Sequence, residues 1–181
     1  LFHVLIFGGS QGARAINNAM AEALSHLAGF EEKLSITHQT GEADLDKIKA
    51  AYADSKFAKS DIRPFISDMF TEFGKADLVI CRAGATTCAE LSAAGKASIM
   101  VPLPTAADDH QRKNAEALER AGAAKMILQS GLTGESLAAE ISKLIEAPEA
   151  ITAMETAAKD LGREDAEERT VDIIEELKAS V

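Results

Sequence analysis

Ten consecutive residues, Cys81-Arg82-Ala83-Gly84-Ala85-Thr86-Thr87-Cys88-Ala89-Glu90, bring together the groups best suited to chemistry in this chain. They set a glycine turn, two hydroxyls and a carboxylate where a strand should hand over to a helix, an arrangement that suits a nucleotide diphosphate. The preceding run Asp77-Leu78-Val79-Ile80-Cys81 is rich in strand formers, and Ala83-Gly84 can take the tight turn after it. A helix is therefore predicted to open near Thr86. Its free backbone N–H groups and the positive end of its dipole would face an anion, each such interaction contributing about 0.3–1 kcal/mol when exposed. Glu90, about one turn further along, is within reach of a sugar hydroxyl. The same residues carry a second reading. Thr87-x-x-Glu90 has the spacing of a capping box, in which threonine and glutamate satisfy each other's N–H groups with no ligand involved.

Three further segments bear on the choice. Gly8-Gly9-Ser10-Gln11-Gly12-Ala13 is a glycine-rich turn that lets backbone approach a phosphate while Ser10 offers a hydroxyl. It is neither a GxGxxG fingerprint nor a Walker loop, and a plain tight turn between strand and helix is the alternative. Pro64-Phe65-Ile66-Ser67-Asp68-Met69 places Ile66 in a loop where its backbone can pair with a base edge, although Phe65, Ile66 and Met69 also suit a core. The third segment, Pro102 to Asn114, is a stiff proline-set loop running into a helix start. Asp108 or Asp109 fits an N-cap there. His110, Gln111 and Asn114 crowd one helical turn, and hydroxyl-rich ligands call for such side chains. Together the four loops read as a phosphate cradle, a base slot, a ribose carboxylate and a sugar clamp, which is a nucleotide-sugar site. Redox use of NAD is disfavoured, because the second strand ends in His38-Gln39 where a dinucleotide fold places a ribose-binding acid.

These loops need a sheet to hold them. Strands are predicted at Phe2–Phe7, Leu34–His38, Asp61–Arg63, Leu78–Cys81, Ser98–Val101 and Lys125–Leu128, with helices at Ala13–Leu27, Ala43–Asp54, after Asp68, Thr86–Ala94 and Gln111–Ala121, the last ended by Gly122. In the first helix Ile16, Met20, Ala23, Leu24 and Leu27 fall on one face. From Gly134 the pattern is helical, broken at Pro148 and Gly162. Alternating strands and helices predict an α/β fold, a Rossmann-like parallel sheet with helices on both faces, followed by a helical tail. One domain spans 1–181, with a sheet-and-helix core over about 1–147 and the tail over about 148–181.

The 181 residues are 46% hydrophobic, enough for one substantial core. A formal net charge of -10, with much of the excess acid between Asp160 and Glu176, makes nucleic acid an unsuitable partner. An anion must be held by local dipoles and a few chosen bases. No apolar run reaches the roughly 20 residues of a membrane span, so no direct membrane insertion is expected. The two cysteines, Cys81 and Cys88, sit in apolar company outside any CxxC pair and read as buried, reduced thiols of a cytosolic protein. The four histidines are too scattered for a zinc cluster. The chain opens at Leu1, inside a strand and without methionine, as expected of a fragment of a longer protein.

The motifs also have a familiar order. Gly8-Gly9-Ser10-Gln11-Gly12-Ala13-Arg14, His38-Gln39-Thr40-Gly41, Phe65-Ile66-Ser67-Asp68-Met69, Cys81 to Thr87 with Glu90, and Asp109-His110-Gln111 with Asn114 resemble the C-terminal domain of the MurG family, from Val4 to about Ile127. That family transfers N-acetylglucosamine from a UDP donor to undecaprenyl-pyrophosphoryl-N-acetylmuramyl-pentapeptide, giving lipid II from lipid I. The resemblance implies half of a two-domain GT-B enzyme, inverting, with neither metal nor cofactor, peripheral on the cytoplasmic face of the bacterial inner membrane. By position it implies that Gly9, Ser10 and Gln11 bind the diphosphate and that Ile66 meets uracil through its backbone. It further implies that Arg82, Ala85, Thr86, Thr87, Cys88 and Ala89 line phosphate and sugar, that Glu90 holds the ribose, and that His110, Gln111 and Asn114 meet the N-acetylglucosamine. The acceptor domain with its general base lies outside this chain, so no catalytic residue is expected here, and donor binding without turnover follows. Two alternatives remain open: a separate donor-binding subunit of a two-chain N-acetylglucosamine transferase, and half of a UDP-sugar epimerase.

Overall fold

A computed structural model describes residues 1–162. Six strands and seven helices alternate along them: β1 (Phe2–Phe7), α1 (Arg14–His26), β2 (Leu34–Gln39), α2 (Leu45–Ala53), β3 (Asp61–Arg63), α3 (Met69–Lys75), β4 (Leu78–Cys81), α4 (Ala85–Ala94), β5 (Ser98–Met100), α5 (His110–Arg120), β6 (Ala124–Met126), α6 (Gly134–Glu146) and α7 (Pro148–Leu161). Single 3-10 turns at Glu42–Asp44, Ala107–Asp109 and Gln129–Gly131 complete the path. All the strand pairings are parallel, in the order β3-β2-β1-β4-β5-β6. The winding reverses between β1 and β4, and an open α/β sheet splays its loops into a crevice at such a reversal, beyond the carboxyl ends of the strands.

The period of two in the strands divides the core. Val4 and Ile6 of β1 and Leu78 and Ile80 of β4 join one apolar cluster with α1, α2 and α6. Their neighbours Leu5, Phe7, Val79 and Cys81 join the opposite cluster with α3, α4 and α5. The stripe expected on α1 is the buried one, with Ile16, Met20 and Ala23 fully enclosed. Each large side chain so buried stabilises the fold by roughly 1.5–3 kcal/mol. Helix α7 opens on Pro148 at its first turn. It joins both clusters, Ile151 and Met154 in one and Ala158 in the other, so this segment packs on the sheet-bearing layers. The helical pattern and acidic run expected beyond Gly162 lie outside the described residues.

Boundaries differ from expectation at three strands. β2 continues one residue, to Gln39, because Gln39 pairs with both Phe7 and Arg63. β5 ends at Met100, and β6 sits at Ala124–Met126 rather than Lys125–Leu128. The pairing Ser98↔Ala124 sets that register, and it encloses Ala124 while leaving Lys125 in solvent.

Candidate functional site

The loop after β1 is shaped by contact with the loop after β2. Gly9 and Gly12 adopt φ of 85° and 73°, a region that glycine enters without steric cost. A side chain at Gly12 would strike the Thr40 carbonyl, and one at Gly41 would strike the Gln11 carbonyl. The two loops therefore stack backbone on backbone. Gln39 fixes a third loop to them: its Nε2 donates to Gly9 O at 2.8 Å, and its Oε1 accepts from the Ile66 N–H at 2.9 Å. Ile66 is buried, and this bond takes its N–H. Gln39 was absent from the expected site residues; its position at the carboxyl end of the second strand was the available signal.

At the carboxyl end of β4, Gly84 is the N-cap of α4 and offers no side chain. The first helical bond is from Cys88 N–H to Gly84 O at 2.9 Å. The N–H groups of Ala85, Thr86 and Thr87 have no acceptor among the described residues, as the first turn of a helix dictates. Thr87 is the third helical residue rather than the cap, so Thr87 and Glu90 form no capping box. Their side chains are free for another role. Ala85, Thr86, Ala89 and Glu90 lie on the exposed side of this turn. Cys88 does not. Its side chain is buried in the cluster shared with α3 and α5, and its N–H is taken by Gly84 O. Both cysteines are free and buried. Burial pushes the Cys88 thiol up to about 11 and raises Cys81 further.

The third wall is the loop between β5 and α5. Asp108 and Asp109 both hold left-handed φ, 50° and 55°. Asp109 stands at the N-cap of α5 but caps no N–H, so the simple capping role expected there is also corrected. Gln111 Oε1 accepts from Leu103 N–H at 3.0 Å, which leaves its amide NH2 toward the cleft, and Asn114 Nδ2 donates to Ala83 O at 3.0 Å. Asn114 is thus a brace between α5 and the β4–α4 turn. The exposed His110 donates from Nδ1 to Ala107 O at 2.8 Å, which leaves Nε2 as an acceptor. Arg82 is a brace as well: Nη1 donates to Val101 O and Pro102 O at 3.1 and 3.2 Å, and Nη2 to Gln129 Oε1 at 2.7 Å. Burial lowers its pKa.

These walls enclose a cleft of about 410 Å³ over the β1–β4 reversal, and Gly9, Arg82, Thr87 and Gln111 line it with Arg14. That volume is within the range of small-molecule sites. Ser10 and Gln11 are exposed beside it on the glycine loop. Arg14 ends the glycine motif but was not among the expected site residues; its place two residues after the last glycine was the available signal. A larger hollow of about 690 Å³ surrounds His3, Ser35 and Asp61, at the amino ends of the strands, away from the ligand-presenting edge of such a sheet. Among the described residues no cluster of three or more His, Cys, Asp or Glu is placed to hold a metal ion, and no helix is long and apolar enough to cross a membrane.

Comparison with known proteins gives the geometry a context. Residues 3–174 match the glycosyltransferase family 28 C-terminal domain. A UDP-N-acetylglucosamine–N-acetylmuramyl-(pentapeptide) pyrophosphoryl-undecaprenol N-acetylglucosamine transferase of Citrifermentans bemidjiense is 50% identical over 170 residues, 94% of this chain and 47% of the relative. The chain spans about half the length of the curated relatives it matches. The crystal structure of Acinetobacter baumannii MurG superposes with a TM-score of 0.86 at 38% identity, covering 97% of this chain and 52% of that one. A putative UDP-N-acetylglucosamine 2-epimerase from Listeria monocytogenes superposes with a TM-score of 0.73 at 17% identity, over 99% of this chain and 46% of that one, a likeness of fold alone.

Proposed function

The chain belongs to the glycosyltransferase family 28 C-terminal domains, and on that premise we propose that it is the UDP-N-acetylglucosamine-binding half of the transferase that converts lipid I to lipid II. The observation that carries this reading is the row of unpartnered N–H groups at Ala85, Thr86 and Thr87, set across the β1–β4 reversal from the glycine loop. Two backbone cradles facing one cleft suit a diphosphate bridging a nucleoside and a sugar. In this reading Gly9, Ser10 and Gln11 hold one side of the diphosphate and the start of α4 the other. The Ile66 carbonyl accepts from the uracil N3–H, Glu90 accepts from the ribose hydroxyls, and the free ends of His110 and Gln111 meet the N-acetylglucosamine. Ala89 borders the sugar, while Arg82 and Asn114 keep the walls in place.

An inverting transfer breaks the anomeric C–O bond to UDP while an acceptor hydroxyl attacks from the opposite face. The helix dipole and N–H groups of α4 stabilise the charge on departing UDP. A base must take the hydroxyl proton, and in this reading it comes from the acceptor-binding half, on the cytoplasmic face of the membrane, together with the lipid-linked acceptor. The 181-residue chain then binds donor without turning it over, with its site built wholly by residues 1–147.

Calorimetric titration tests the proposal. UDP and UDP-N-acetylglucosamine are expected to bind and NAD not to bind. Weaker binding of UDP-N-acetylgalactosamine would assign sugar selection to this half. If no uridine ligand binds while the chain is folded, the reading fails.

A further inference from the structure

We infer that Arg14 is a diphosphate-binding residue, held in register by Asp44 at the end of a buried polar chain. The inference rests on the donor-binding reading and adds a residue to it. Two cations line the cleft, Arg14 and Arg82, and they differ in what they have left to give. Both terminal nitrogens of Arg82 are engaged by Val101, Pro102 and Gln129. Arg14 donates only from Nε, to Asp44 Oδ1 at 3.2 Å, and its side chain is 72% exposed. A guanidinium has five N–H donors in a rigid fork that matches phosphate oxygens. Neither Nη of Arg14 has a partner among the described residues. Arg14 is therefore a cation of the cleft wall with a free donor edge, at the first position of α1, directly after the glycine loop.

What fixes it is unusual for a surface ion pair. Asp44 is 12% exposed in its side chain and does not border the cleft, so it holds Arg14 from behind. The other oxygen of Asp44 accepts from Asn17 Nδ2 at 2.9 Å, and that same amide donates to Thr40 O at 2.9 Å. Asn17 Oδ1 accepts from His38 Nε2–H at 3.0 Å, and His38 Nδ1 in turn accepts from the Tyr52 hydroxyl at 3.2 Å. Asn17, His38 and Tyr52 are each at most 2% exposed. An exposed ion pair ordinarily loses much of its value to side-chain freedom. Here the carboxylate is immobilised by a filled network, so the arginine fork is pre-organised. Local placement of this kind is what a chain of net charge -10 requires, since its overall field repels a diphosphate.

Binding of UDP and of uridine to Arg14→Gln, Arg14→Lys and Asp44→Asn separates the outcomes. Arg14→Gln is expected to weaken UDP by at least tenfold and to flatten the salt dependence of UDP affinity, with uridine binding and melting temperature unchanged. Arg14→Lys, which keeps the charge but loses the fork, is expected to fall between. Asp44→Asn is expected to weaken UDP severalfold while Arg14 remains present. If the unaltered chain binds UDP and Arg14→Gln binds it equally well, Arg14 is only a surface partner of Asp44 and this inference alone fails. Equal losses for UDP and uridine would also overturn it, by showing a general distortion of the loop. If the unaltered, folded chain binds no uridine ligand, the donor-binding reading itself is wrong, and the inference falls with it.

Discussion

The Gln39 side chain accepts a 2.9 Å hydrogen bond from the Ile66 N–H, and its amide nitrogen reaches the Gly9 carbonyl at 2.8 Å. One side chain thus ties the glycine loop after β1 to the loop after β3 across the end of β2. Replacing Gln39 with leucine strands both backbone groups, at a cost of about 1–3 kcal/mol for each that stays dry. Gln39→Glu sets a second acceptor against Gly9 O and is expected to be worse. Urea denaturation should show a loss of at least 1 kcal/mol for Gln39→Leu, with weaker UDP binding at a temperature where the variant is folded. Full stability with full affinity would mean that the loops hold their spacing without the strut.

Cys88 offers a contrasting expectation, because it sits inside the ligand-facing sequence yet points into the core. Cys88→Ala is expected to leave UDP affinity unchanged and to lower stability by about 1–2 kcal/mol through lost packing. With its pKa near 11, the thiol should resist Ellman's reagent in the folded chain at pH 8 and react only on unfolding. Rapid labelling of the native chain, with loss of UDP binding, would return Cys88 to the cleft.

The positions of the strands along the chain, their parallel sheet and the edge that presents the four loops were legible because apolar runs and glycine turns report local geometry, and a parallel sheet converts that geometry into a shared edge. What escaped was set by contacts distant in sequence. Asn114 looks like a sugar contact within its own helical turn, but its partner is Ala83, 31 positions away. Arg82 looks like a phosphate cation until Gln129, 47 positions on, is seen to engage it. Cys88 and Thr87 are neighbours in sequence, yet the start of α4 at Ala85 rotates one inward and the other to the cleft. The N-cap at Gly84, three residues before Thr87, settles the capping box in the same way. His38 is the clearest case. Its identity removed an expected ribose acid, but only the fold shows it closing a network with Asn17 and Tyr52.

Glu90 is exposed on α4 and caps nothing. Glu90→Ala is accordingly expected to change stability by no more than about 0.5 kcal/mol, the range of surface substitutions away from special features. If the carboxylate accepts from two ribose hydroxyls, its loss should weaken UDP by about tenfold or more, since hydrogen bonds to charged groups are worth roughly 1.5–3 kcal/mol. Paired melting curves and titrations separate the effects. A large fall in melting temperature with unaltered affinity would assign Glu90 to the helix instead of the ligand.

His38 makes the fold sensitive to acid. Burial, with no cation or carboxylate in direct contact, lowers its pKa from 6.5 to about 3. The native chain therefore keeps the imidazole neutral where the unfolded chain protonates it. The unfolded state binds the extra proton, so stability is full above pH 6.5 and falls as pH drops through the window from 6.5 to about 3. From pH 7 to pH 5 the expected loss is about 2 kcal/mol. Half-buried His3, also lowered by desolvation and partly offset by Glu72 and Asp77, adds in the same direction. His38→Gln keeps an amide donor for Asn17 and cannot titrate. It should be less stable at pH 7, because the bond to Tyr52 is lost, yet show a shallower decline between pH 7 and pH 5 in urea denaturation. An unchanged decline in that variant would mean that the pH sensitivity originates elsewhere in the chain.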